Sequence, residues 1–226
     1  MIFAISSAGA WYLFCLGLAT GLAVLAMSAY IAVTPRWLRA LLFWCGLLMV
    51  ARYLTMALLA LLITPPHPSL LHRLWFGSAI GLTFPTLVAL DQLTRHPAIT
   101  PRTLLRWYAP FFGAVLLAVL FGHIELLTDP LVGIRPKLMG IGRWVFMLAD
   151  AVFALGVLSV CGLLWRRLSS LPIRMALLGL AVAYLALATD GLLVANGWWY
   201  VRPFLFSEML TLTALWAAFQ LARLNQ

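Results

Sequence analysis

Charge is scarce in this chain. Only 9% of its 226 residues are charged and just six are acidic, where a soluble domain carries about a quarter. That shortage excludes an ordinary water-soluble globule. With 65% hydrophobic residues and a mean hydropathy of +1.04, the chain reads as an integral membrane protein. Lysine is rarer still: Lys137 alone, outside every apolar segment. A seven-helix retinal protein, which needs a Schiff-base lysine in its last helix, is thereby excluded. The three cysteines, Cys15, Cys45 and Cys161, lie in apolar segments without CxxC spacing and read as small buried hydrophobes. There is no GxSxG motif and no histidine near a membrane serine, which speaks against a serine nucleophile. The opening "MIFAISSAGAW" has no basic residue, so it lacks the n-region of a cleaved signal peptide and is expected to stay on the mature protein. The formal charge of +9 would suit nucleic acid, but the basic residues fall mostly in short loops, where they anchor and orient helices. No nucleic-acid partner is expected.

What fills the chain is apolar sequence. Seven stretches, near 10–33, 40–63, 72–94, 104–123, 143–165, 174–196 and 204–222, match the roughly 20 residues that a helix needs to cross about 30 Å of hydrocarbon. The breaks between them, such as "TPPHPSLLH" and "RHPAITPR", have turn chemistry. The expected fold is all-α: one polytopic domain, 1–226, of seven transmembrane helices. The stretch 124–142 has room for a short interfacial helix. No internal repeat suggests a duplicated transporter.

Arg36, Arg39, Arg95, Arg102, Arg106, Arg166, Arg167, Arg174 and Arg223 fall on one side of this arrangement. Arg73, Arg135, Lys137, Arg143 and Arg202 fall on the other. The richer side is expected to be cytoplasmic, giving N-out, C-in topology in a bacterial inner (plasma) membrane. Glu125, Asp129 and the aromatic "GWWY" then lie outside.

Arg52, in "LLMVARYLTMALL", belongs to neither side. A guanidinium in hydrocarbon costs roughly 2.5–3.5 kcal/mol on insertion scales, so a partner is required. Three acids lie within apolar segments: Asp150, Asp190 and Glu208. At 1.5 Å per residue they sit about 10, 9 and 6 Å from the outer ends of helices 5, 6 and 7. Arg52 is near the middle of helix 2, and its long stem can reach outward. Arg52 is therefore expected to pair with one or more of these acids. The surplus negative charge would be balanced by Arg73, Arg143 and Arg202, or by a carboxyl that keeps its proton. One reading is a structural ion-pair network. The other is an outward-opening polar pocket between helices 2, 5, 6 and 7, with Met49, Thr55 and Met56 around Arg52 and Thr211 one turn from Glu208. The ligand-binding set is then Arg52, Asp150, Asp190, Glu208, Met56 and Thr211. Its acids favour a cationic or hydrogen-bonding small molecule, and Arg52 would hold a carboxylate. No cofactor is indicated.

The remaining features point to packing. His67, His72 and His123 fall at the outer surface near Glu125 and Asp129, but "HPSLLH" matches no metal motif, so no metal is assigned. Asp91 can pair with Arg95 at i,i+4. Glycines and alanines in "GLATGLAVLAMSA" favour close packing of helix 1, and Pro85 and Pro110 are expected to kink helices 3 and 4.

From about Trp37 onward the loop-and-helix pattern resembles the N-terminal seven-helix sensor region of certain bacterial histidine kinases. The likeness is clearest in "HRLWFGSAIGLTFPTLVALDQLTRH", "LLRWYAPFFGAVLLAVLFGH" and "WRRLSSLPIRMALLGLAVAYLALATDGLLVANG". The resemblance implies a periplasm-facing sensor with N-out, C-in topology. No kinase domain follows helix 7, so output would need a cytoplasmic or membrane partner. Together these readings suggest a receptor-like protein that binds a small molecule or lipid and signals to a partner, surrounded by membrane lipids. An intramembrane enzyme using Asp150, Asp190 and Glu208 on a lipid substrate and a small proton- or cation-coupled transporter are the alternatives.

Overall fold

The computed structural model describes residues 7–61, 70–94, 100–129, 132–195 and 205–224. Long apolar runs without water must satisfy their backbone internally, and helix does this within one segment. The chain accordingly forms α1 (Ser7–Ala29), α2 (Arg36–Leu61), a broken α3 (Leu71–Thr94), α4 (Pro101–Phe121), α5 (Gly140–Arg167), α6 (Leu171–Ala195) and α7 (Phe206–Leu224). The first six are long and apolar enough to cross a membrane. The start of α4 is fixed by Thr100, whose Oγ1 accepts from the Thr103 N–H at 3.2 Å, with Pro101 following.

One element departs from the all-α expectation. Where a short interfacial helix had room, the chain forms an antiparallel β-hairpin, β1 (Ile124–Asp129) and β2 (Gly133–Leu138), in register from Ile124↔Leu138 to Asp129↔Gly133. The reason is local. Ile134, Pro136 and Leu138 are buried while Gly133, Arg135 and Lys137 are half-buried, a period of two that suits a strand. Pro136 would break a helix interior but is tolerated on the free edge of a two-stranded sheet. The hairpin is docked, with Val132 and Ile134 each 1% exposed and β2 packed on the end of α2.

Within the bundle α3 is central, touching α2, α4, α5, α6 and α7. Two thirds of its apolar window is buried (67%), against 17% for α5. Large apolar side chains such as Trp44, Trp107 and Trp144 remain exposed on the periphery, as a hydrocarbon-facing surface allows. On α1 a stripe at helical spacing, Tyr12, Leu16, Ala19, Ala23 and Ala26, is buried against α2 and α7. The alanines make this close approach. Gly17 and Gly21, expected to contribute, face open space, since a Cβ at either would meet nothing within 4 Å.

The break in α3 is lined with hydroxyls. Helix gives way to a 3₁₀ turn at Leu74–Phe76 and is interrupted again at Leu82. Pro85 has no N–H to offer the preceding turn. Thr83 Oγ1 donates to the Ala79 carbonyl and Thr86 Oγ1 to the Leu82 carbonyl at 2.8 Å. Tyr184 of α6 donates to Thr86 Oγ1 at 2.9 Å, and Thr83 Oγ1 lies 2.7 Å from the Tyr108 hydroxyl of α4. These groups are buried, so the break is stitched to two neighbouring helices. Through Pro110, by contrast, α4 runs as one helix. Tyr184→Phe should cost about 0.6 kcal/mol and at most about 1.7, the range for interhelical hydrogen bonds in membranes. Thr86→Val added to it should cost less than the sum of the two, because both remove the same bond. Unfolding in detergent measures this, and strict additivity would show that the bond contributes nothing.

Candidate functional site

Arg52 sits on the inward face of α2, wholly buried, with Met49, Thr55 and Met56 buried around it at 0, 2 and 3% exposure. Each nitrogen of its guanidinium donates a hydrogen bond. Nη1 and Nη2 donate to Glu208 Oε2 and Oε1 at 2.5 and 2.8 Å, a bidentate pair, and Nε donates to the Trp75 carbonyl at 2.7 Å. Fork-to-fork geometry is the strongest form of this contact. Tyr53, the next residue along α2, donates its hydroxyl to Glu208 Oε2 at 3.1 Å. The guanidinium carbon also stands 5.3 Å from the Tyr53 ring centre. One constellation therefore joins α2, the 3₁₀ turn of α3 and the first turn of α7.

The other intramembrane acids go elsewhere. Asp190 accepts a hydrogen bond from Ser207, tying α6 to the start of α7 beside Glu208. Asp150 occupies an exposed position on α5, within electrostatic range of the Tyr184 hydroxyl. Thr211 is buried, and its hydroxyl is spent on the Ser207 carbonyl one turn back, at 2.7 Å. The structure thus brings Glu208 to Arg52, places Met56 and Thr211 in the same interior, and does not bring Asp150 or Asp190 to the guanidinium. Around the pair stand α1, α2, α3 and α7. The expected contribution of Asp150 from α5 is not made here, since Asp150 is exposed. The paired side chains are 1% and 5% exposed, closed on one another.

Three participants carry no sequence signal of their own. Tyr53 and Ser207 are neighbours of charged residues whose helical phase is not readable from composition. Tyr12 of α1 is the third. Its hydroxyl is buried, lies within electrostatic range of Arg52, Glu208 and Asp129, and makes no hydrogen bond among the described residues. Such an orphan is unusual in a packed interior. Leu205, immediately before α7, has φ 55° and is 1% exposed. A left-handed leucine costs on the order of 1–2 kcal/mol, a local strain held three residues from Glu208.

Of the outer histidines, His72 is buried rather than superficial, and His123 is exposed. His67, Arg202 and "GWWY" lie outside the described residues, as does Arg95, the expected mate of half-buried Asp91. Among the described residues no group of three His, Cys, Asp or Glu side chains is arranged to hold a metal. No protein-family model, curated protein or solved structure matches the chain.

Proposed function

We propose that this is a receptor-like, multi-pass membrane protein in which the Arg52–Glu208 pair locks α7 to α2 and α3. A small molecule or lipid acting near that lock would release α7 toward a signalling partner. In this reading α7 is a seventh membrane span, and the chain lies N-out, C-in in a bacterial inner membrane. Supporting the seventh span, α7 lies between α1 and α6 and along α3, and ten of its 19 residues are buried. Its one interior carboxylate is neutralised by Arg52.

The observation that carries the proposal is the position of the pair. It joins three helices at the head of α7, three residues from a strained Leu205 and within electrostatic range of a Tyr12 hydroxyl that makes no hydrogen bond among the described residues. A buried network that lacks a partner for one member and stores strain beside another is suited to two arrangements rather than one. Signal then travels along α7 to its far end at Leu224. An enzyme or relay that needs three converging carboxylates gains no support, since Asp150 is exposed on α5 and Asp190 bonds Ser207 rather than the Arg52–Glu208 pair.

Glu208→Gln tests this. It keeps the shape but removes the charge that holds Arg52. With spin labels at Ala40→Cys and Leu224→Cys in a background lacking the three buried cysteines, electron–electron resonance reads the distance between the far ends of α2 and α7. A second distance population is expected in Glu208→Gln while helical content is retained. An unchanged single distribution, with only a fall in melting temperature, would reduce the pair to a staple.

A further inference from the structure

The turn of α3 that gives its Trp75 carbonyl to Arg52 also walls a cleft on the outside of the bundle. Leu74, Gly77 and Ile80 of α3 line it, with Leu48 of α2 and Val115 and Val119 of α4. Its volume is about 120 Å³. At Leu48 it adjoins a shallower hollow of about 400 Å³ on α2, beside Trp44, Leu47 and Ala51. The walls are hydrocarbon apart from one charged residue. Arg73 lines the cleft too.

We propose that this cleft is a binding site for one phospholipid, its phosphate on Arg73 and part of one acyl chain between α2, α3 and α4. The site goes beyond the lock reading and stands without it. Three observations carry it. First, depth runs the right way. Arg73 is the third residue of the α3 span, and Ile80 lies seven residues further in, about 10 Å at helical rise. The α4 wall runs in the same sense, from Val119 near the end of that helix to the deeper Val115. The cation is therefore at headgroup level and the apolar walls lead inward.

Second, the cation is positioned and uncompensated. Arg73 Nη1 donates to the carbonyls of Val119 and, at 3.4 Å, Gly122, which steadies the guanidinium across the end of α4. No carboxylate pairs with it among the described residues. Its Nε and Nη2 remain as donors, the edge of the fork that a phosphate accepts from. Third, Gly77 leaves the floor without a side chain. A Cβ there would stand 3.2 Å from Leu48 Cγ and 3.0 Å from the Leu74 carbonyl oxygen, so α2 and α3 already meet at the floor and a side chain would have to push Leu48 aside. An apolar cleft capped by a guanidinium that has no carboxylate partner among the described residues complements a tail and a phosphate together.

Native mass spectrometry of the full chain, purified with equal amounts of phosphatidylglycerol and a phosphate-free diacyl glycolipid of the same chains, reads the preference. One phosphatidylglycerol should be retained at least about tenfold over the glycolipid, the scale of one hydrogen bond to a charged group. Arg73→Gln keeps a donor for the α4 carbonyls but should bring the ratio near one. Ile80→Trp, which fills the cleft, should lower retention of both lipids. Arg143→Gln, outside the cleft, should leave the ratio as it is. Equal retention by the unmodified protein, an undiminished ratio in Arg73→Gln, or displacement of the lipid by millimolar inorganic phosphate would each overturn the proposal. The last would mark a simple anion site.

Discussion

Glu208→Ala is expected to destabilise the bundle by about 3–5 kcal/mol, the usual cost of removing one partner from a buried ion pair. The loss comes mainly from what is left behind. Arg52 is wholly buried and would keep only the Trp75 carbonyl among its present acceptors. A guanidinium cannot shed its proton to escape the charge. Arg52→Met should cost less, because a stranded carboxyl can take up a proton, and Tyr53 already bonds Glu208. Combining Arg52→Met with Glu208→Met should recover most of the loss, since apolar side chains of similar volume often replace such a pair without penalty. Arg39→Ala is the control. Among the described residues Arg39 donates only to the Ile31 carbonyl, at an exposed site, and its loss should change stability by less than about 1 kcal/mol. Thermal unfolding of all four variants in one detergent gives the comparison. Equal losses for Glu208→Ala and Arg39→Ala would contradict the reading of the pair as the strongest polar link in the interior.

The need for a partner at Arg52 is legible in the sequence because the cost of an unpaired charge depends only on where it lies along an apolar run. Depth along a helix is likewise legible, and places three acids within reach. Which acid answers is a matter of helix rotation, and rotation has weak signals here. The apolar residues of α5 and α6 go all the way round, so composition does not show that Asp150 faces outward or that Asp190 turns to Ser207. Glu208 differs in having Ser207, Thr211 and a run of small residues, Ala214 and Ala218, on the same helix, all buried. The Trp75 contact is invisible for another reason: it is made by a carbonyl freed in a 3₁₀ turn, and any residue could supply it. The hairpin was partly legible. Length alone gives 124–142 room for a helix, while the alternation of Ile134, Pro136 and Leu138 with Arg135 and Lys137 favours strand, and Pro136 decides between them.

Gly133→Val should undock that hairpin. Gly133 begins β2 with φ +72°, a conformation that a β-branched residue adopts only at a cost of about 1–3 kcal/mol. Space is the larger obstacle. A Cβ at Gly133 would overlap the Leu59 carbonyl oxygen and stand 2.7 Å from the Ala60 Cα, backbone atoms of α2 that cannot swing aside as a side chain can. Either β2 lifts away or α2 bends, and lifting is easier because β2 has a free edge. Val132 and Ile134 would then lose their burial, each worth about 1.5–3 kcal/mol. Amide hydrogen exchange should therefore speed up across 132–138 in Gly133→Val and stay slow in α5 and α6. Gly133→Ala should lie between, since it meets the same backbone without the branched side chain. The effect should also reach the ion pair, because Tyr12 lies within electrostatic range of Asp129 at the turn end of β1 and of both Arg52 and Glu208. Exchange in the first turn of α7 is the readout for that link. Unchanged protection in both the hairpin and α7 would show that the glycine contact does not hold the hairpin over this end of the bundle.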